Sequence, residues 1–305
     1  MTQAQLFKNL EVPKGVVDAV IDTDTFNEVD DQYAIAYMLR STERINTVAI
    51  YAAPFFNGNS TSPEDGMYKS YDEAKKIVKL CGRDDMLDKI YKGSTRYLPD
   101  EKTAVDSDAA RDLVERAHKY TTENPLYVVA IGAITNVASA LILDPTIAEK
   151  IVIVWLGGHA LHWNNNNEFN LKQDIAAARI VFGGTVPFVQ LPCFGVVSAF
   201  SISEPELEKY FIGKNPLADY LAKNTIQDER KYKDGLPWAR VIWDITAVAW
   251  LLNDDQRFML ERTIHAPIPE YDHKYAYSDD TKFMKYIWHI NRVELWNDVI
   301  NKLCK

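Results

Sequence analysis

The sequence predicts an α/β protein, an open and mostly parallel sheet covered by helices on both faces. Two observations predict it: short apolar, β-branched runs alternate with segments of helical spacing, and polar segments rich in Asp, Asn and Gly follow the ends of several runs. That alternation is the pattern of βαβ units, whose strands lie parallel and buried on both faces.

The elements follow in order. Residues 16–22 form the first apolar run, and Tyr33, Ala34, Tyr37 and Met38 then recur at helical spacing. Further strands are expected at 45–52, 126–131, 151–156 and 187–192, with helices at 64–80, 107–119, 134–143 and 174–182. Beyond about residue 200 the pattern becomes mostly helical, and the Pro- and Tyr-rich segment 266–277 takes no assigned element. No fixed-period repeat or linker-like stretch divides the chain, so residues 1–305 are expected as a single domain, with a motif-bearing core at 16–192 and the mostly helical part at 200–305.

The composition narrows the function. Of 305 residues 47% are hydrophobic, enough for a sizeable core, and the net charge of −9 lacks the basic stripe that a nucleic acid requires. There is no long apolar run for a membrane and no signal-like N-terminus, and Cys81, Cys193 and Cys304 are odd in number and widely spaced. A cytoplasmic protein acting on a small molecule is expected.

The first strand runs into Asp22-Thr23-Asp24, followed by Glu28 and the pair Asp30-Asp31 at the head of a helix. A single Asp there would be an ordinary turn or helix cap. Four aspartates in ten residues repel one another unless a cation neutralises them, and all-oxygen ligation suits a hard divalent ion. In a parallel sheet the carboxyl ends of the strands share one edge, where ligands bind. The aspartate loop, the segment from Gly132 to Asn136, and the segment from Gly157-Gly158-His159 to Glu168-Phe169-Asn170 should therefore converge on one cleft.

These motifs resemble the inosine- and uridine-preferring nucleoside hydrolases, which are calcium-dependent N-ribohydrolases with a Rossmann-like core. The matching segments are Val20-Ile21-Asp22-Thr23-Asp24 with Asp30-Asp31, then Ile131-Gly132-Ala133-Ile134-Thr135-Asn136, then Glu168-Phe169-Asn170 with Asp174 and Ala176-Ala177. The resemblance is continuous over 16–192, as in a divergent member. It implies calcium held by Asp24, Asp31, the carbonyl of Ile131 and Asp244, with Asp24 also the base that activates water. It implies sugar contacts from Asp30, Asn57, Glu168 and Asn170, hydrolysis of a nucleoside or related N-riboside to base and sugar, and a homodimer or homotetramer.

Two departures stand out. The spacer between Asp24 and Asp30 is two residues longer than the family's, and Trp243 precedes Asp244 where the family carries the His that protonates the leaving base. An indole can stack on a base but supplies no proton, so His159 and His162 are the expected acids. Two other readings compete: a calcium-dependent nucleoside or sugar binder without turnover, and a haloacid-dehalogenase-type phosphatase whose nucleophile would be Asp22.

Overall fold

The protein is described by a computed structural model covering residues 1–233 and 235–305. Its strands are β1 (Val17–Thr23), β2 (Ile45–Ala52), β3 (Ile90–Lys92), β4 (Leu126–Ala130), β5 (Ile151–Leu156), β6 (Phe188–Leu191), β7 (Ser201–Ser203), β8 (Ala239–Val241), β9 (Met259–His265), β10 (Ile268–Pro269), β11 (Tyr275–Ala276) and β12 (Phe283–Ile290). The α-helices are α1 (Gln3–Asn9), α2 (Asp31–Arg40), α3 (Pro63–Leu80), α4 (Asp108–Ala117), α5 (Thr135–Leu143), α6 (Phe169–Gln173), α7 (Ile175–Gly183), α8 (Glu204–Tyr210), α9 (Pro216–Lys233), α10 (Ile245–Trp250) and α11 (Arg292–Leu303).

The central sheet has eight strands in the order β3-β2-β1-β4-β5-β6-β12-β9. Its paired neighbours run parallel except β9, which is antiparallel to β12. The expected mostly parallel sheet is therefore present. Helices α2, α3, α10 and α11 pack on one face and α4, α5 and α7 on the other. Their side chains form two apolar layers against strands such as β5, whose six residues are all buried.

Local chemistry sets the helix starts. Ser62 accepts from the amide of Asp65 and Pro63 opens α3; Ser107 caps α4 by accepting from Ala110. Glu168, a cleft residue, accepts from Asn170 and Leu171 at the start of α6, and Asp174, behind the cleft lining, accepts from Ala177 at the start of α7.

The C-terminal part departs from the mostly helical pattern expected after residue 200. It contains α8 to α11, but β9 and β12 extend the central sheet. β9 is the sheet edge and carries Glu261, Arg262 and Thr263, so its solvated side breaks the apolar run by which a strand is recognised. Segment 266–277 folds as the β10-β11 hairpin, with Tyr275 turned inward against Gln190. Among the described residues no helix is long and apolar enough to cross a membrane.

Candidate active site

The aspartate loop, the turn after β4 and the segment after β5 meet at the carboxyl edge of the sheet, around a cavity of about 250 Å³. Two further segments complete it: the loop after β6, with Cys193 and Phe194, and the start of α10, with Trp243 and Asp244. The first obeys the same rule, following a strand of the central sheet, whereas the second follows β8 of a separate two-stranded sheet.

Asp24 is fully buried, and neither of its carboxylate oxygens has a hydrogen-bond partner. Gly132 permits this position, because a Cβ there would come within 3.0 Å of the Asp24 carboxyl carbon. Asp31 accepts from the Thr23 hydroxyl at 2.5 Å, and Asp30 accepts from the Trp243 amide at 3.0 Å. Oxygens of Asp30, Asp31 and Asp244 all lie within 4.8 Å of one another. Burial, followed by repulsion from neighbouring carboxylates, pushes Asp24, Asp31 and Asp244 well above the usual carboxylate range. Orphaned buried oxygens and mutually repelling acids are the arrangement a divalent cation would satisfy. Asp30 belongs to this cluster as much as Asp31 and Asp244 do, although it was expected only as a sugar ligand.

The Asn170 side-chain amide bridges the carbonyls of Ile131 and Leu156, each at 3.1 Å. A carbonyl has a second lone pair, so the Ile131 oxygen can still ligate. Glu168 accepts three backbone bonds, from Gly158, Asn170 and Leu171, each at 2.9 Å. Burial pushes its pKa up, and those three bonds oppose the rise. Asn170 and Glu168 are thus both held in fixed orientations on the cavity wall.

Several expected residues behave otherwise. Asn57 does not line the cavity; its side chain donates to Asn27 at 2.5 Å, and Asn27 faces the cavity instead. The longer aspartate loop carries Asn27 and Glu28 inward, which the spacer length alone did not indicate. His162 is exposed, lies against Gly195 and is absent from the cavity lining. His159 does line it, but burial and then the Lys172 charge hold its pKa down to about 4. Its Nδ1 accepts from the Phe194 amide at 3.3 Å, so the neutral ring carries its proton on Nε2. Burial and the Lys172 charge thus favour the neutral ring, which weighs against the acid role expected for it. Trp243 stands on the cavity wall, half-buried, with its ring edge-on to Phe194 at 5.5 Å.

Asp22 lies outside the cavity lining. It accepts from Asn136 at 2.7 Å, and the same Asn136 amide reaches the Ala52 carbonyl at 3.2 Å, tying β1 to β2 below the site. An attacking carboxylate at Asp22 would be out of reach of a ligand, which removes the support for the phosphatase reading.

Residues that the sequence did not single out include Lys172, Phe194, Cys193 and Arg240. Lys172 stands four positions after Glu168 on α6, so the motif itself carried that signal. Arg240 on β8 is found only through the fold: it pairs with Glu28, with Glu229 at 3.1 Å and with Asp30 at 3.7 Å, and so supports the acidic wall from behind.

Fold and site define a class: an α/β protein with an acidic, cation-competent cleft at the carboxyl edge of its sheet, lined by fixed polar groups and an aromatic wall. The family model described as inosine-uridine preferring nucleoside hydrolase matches residues 19–285, and the chain belongs to that family. The pyrimidine-specific ribonucleoside hydrolases RihA of Salmonella paratyphi A and Salmonella typhimurium are each 27% identical to it over 173 residues, 55% of this chain and 55% of theirs. The chain thus spans about half the length of the curated relatives it matches. Among solved structures, a purine-preferring ribonucleoside hydrolase from Gardnerella vaginalis has a TM-score of 0.75 at 20% identity, covering 94% of this chain and 98% of that one. A plant nucleoside hydrolase, PpNRh1, has a TM-score of 0.74 at 19% identity, covering 94% and 99%. At these identities the likeness is one of fold.

Proposed function

We propose that this protein is a calcium-dependent N-ribohydrolase, cleaving the N-glycosidic bond of a nucleoside or related N-riboside to free base and sugar. The observation that carries the reading is Asp24, a buried carboxylate with two unpartnered oxygens facing a cavity lined by Asp30, Asp31 and Asp244. Asp24, Asp31, Asp244 and the Ile131 carbonyl would hold calcium, with Asp30 beside them. Bound there, calcium would lower the pKa of a water and orient the sugar diol.

The chain's own groups supply the remaining chemistry. Asp24 accepts the proton of the attacking water. Asp30, Glu168 and Asn170 hold sugar hydroxyls, their orientations set by the bonds described above. The surrounding carboxylates stabilise the positive charge that develops on the sugar ring as the bond breaks. Trp243 offers a flat face or edge to the departing base.

The test is Asp24→Asn. The amide keeps size and a ligating oxygen but takes no proton, so kcat on p-nitrophenyl riboside should fall by about 10²-fold or more. Turnover at the parental rate would remove Asp24 from the role of base. A binder without turnover is the second reading, favoured by the neutral state of His159; it gains if sugar-containing ligands bind with calcium while no riboside, activated or natural, is cleaved.

A further inference from the structure

We propose, resting on the hydrolase reading above, that this cleft is built for N-ribosides whose aglycone already carries its positive charge, the pyridinium class, with a ring carboxamide or carboxylate that meets Lys172. Departure of a neutral base requires a proton at its nitrogen or at a ring atom conjugated with it, and the aglycone wall is poorly equipped to give one. The Trp243 indole is no acid at neutral pH, His159 keeps a neutral ring with Nδ1 occupied by the Phe194 amide, and His162 lies outside the cavity. A ring nitrogen that is already cationic needs no such proton.

The walls suit a cation. On the lining, Phe194 and Trp243 meet edge-on at 5.5 Å, with Trp163 stacked on Phe194 at 5.6 Å from outside the lining, and such aromatic faces attract positive charge. Six carboxylates line the cavity, Asp24, Glu28, Asp30, Asp31, Glu168 and Asp244, and they outnumber the cationic groups even with one divalent ion bound. Lys172 is the one ammonium on the lining; it lies 5.8 Å from the Phe169 ring centroid, and among the described residues it has no ion-pair partner. Glu168, one helical turn earlier, does not engage it because its oxygens are taken by three backbone amides. The Lys172 ammonium, held only over the Phe169 ring, keeps its hydrogen-bond donors for an acceptor on the substrate.

The reaction balances without an acid. The C1′–N bond breaks with its electron pair going to the ring nitrogen, which becomes neutral, while the water oxygen bonds to C1′ and its proton passes to Asp24 and on to solvent. Riboside cation plus water gives ribose, neutral pyridine and one proton.

The calcium-loaded full chain is assayed on 3-carbamoylpyridinium riboside, 3-carboxypyridinium riboside, inosine, uridine and p-nitrophenyl riboside. The pyridinium ribosides should exceed inosine and uridine in kcat/KM by about 10²-fold or more, the size of a general-acid contribution, and should release one proton per turnover. Lys172→Gln should raise KM for the 3-carboxypyridinium riboside by about 10-fold, as loss of a charged hydrogen bond predicts, and more than it does for p-nitrophenyl riboside. Equal or faster cleavage of inosine or uridine overturns the inference, as does cleavage of p-nitrophenyl riboside without cleavage of the pyridinium ribosides; the hydrolase reading survives both results. Failure to cleave any of the five overturns the hydrolase reading and this inference with it.

Discussion

Removal of the proposed calcium ion is the perturbation whose size the acidic cluster bounds most directly. Oxygens of Asp30, Asp31 and Asp244 lie within 4.8 Å of one another. At that separation and an effective dielectric near 20, each ionised pair costs about 3.5 kcal/mol, and three pairs about 10 kcal/mol. That is comparable to the whole stability of a domain, about 5–15 kcal/mol. The metal-free cluster must therefore hold protons, which agrees with the upward shifts of Asp24, Asp31 and Asp244. Calcium at about 100 times its Kd should stabilise the protein by about 2.7 kcal/mol. With an unfolding entropy of about 2.1 cal/mol/K per residue, a chain of this length should gain about 4 °C in Tm. Calorimetric titration near pH 7 in buffers of different ionisation enthalpy should show about one proton or more leaving per ion bound. Asp31→Ala should abolish both responses. A Tm that chelator leaves unmoved, together with calcium titrations that release no protons, would refute the reasoning.

Three further outcomes are expected. Burial raises the Asp22 pKa from 3.8 to about 7, against the Asn136 hydrogen bond. A carboxyl raised on folding contributes stability that is present below its unfolded value and lost as pH rises through the folded one. In chelator, Asp22→Asn should therefore remove a fall in stability of up to about 4 kcal/mol between pH 4 and 7, and urea unfolding at both pH values checks it; a parental slope identical to the variant's would contradict it. Tyr275→Phe loses the hydroxyl that accepts from buried Gln190 at 2.9 Å, so stability should drop by about 1–2 kcal/mol, with a several-fold lower kcat because that hydroxyl sits against the Gly158 turn leading to His159. Trp243→Ala should weaken binding of aromatic aglycones by about 1–3 kcal/mol in fluorescence titration, and Trp243→His should raise activity on inosine by returning a titratable group to that wall.

Much of the protein was legible in its sequence, because the relevant signals are local. Strand and helix periods sit within each segment, and the rule that ligands bind at the carboxyl edge of a parallel sheet turned three separated polar motifs into one cleft. Asp24, Asp31, Glu168 and Asn170 could be chosen on that basis, and all four line the cavity. Features that depend on distant partners were not legible. β9 and β12 become strands by pairing with each other at the sheet edge, and the Pro- and Tyr-rich segment becomes a hairpin because Tyr275 finds Gln190. Asn27 replaces Asn57 at the cavity because the longer loop turns inward with Asn57 bonded behind it. Burial beside Trp163 and Phe194, with the Lys172 charge, favours the neutral His159 ring, and only packing leaves His162 outside. Residue type and spacing determined which groups could do chemistry; solvent exclusion and through-space charge, which depend on neighbours tens to hundreds of residues away, decided which of them face the cavity and in what protonation state.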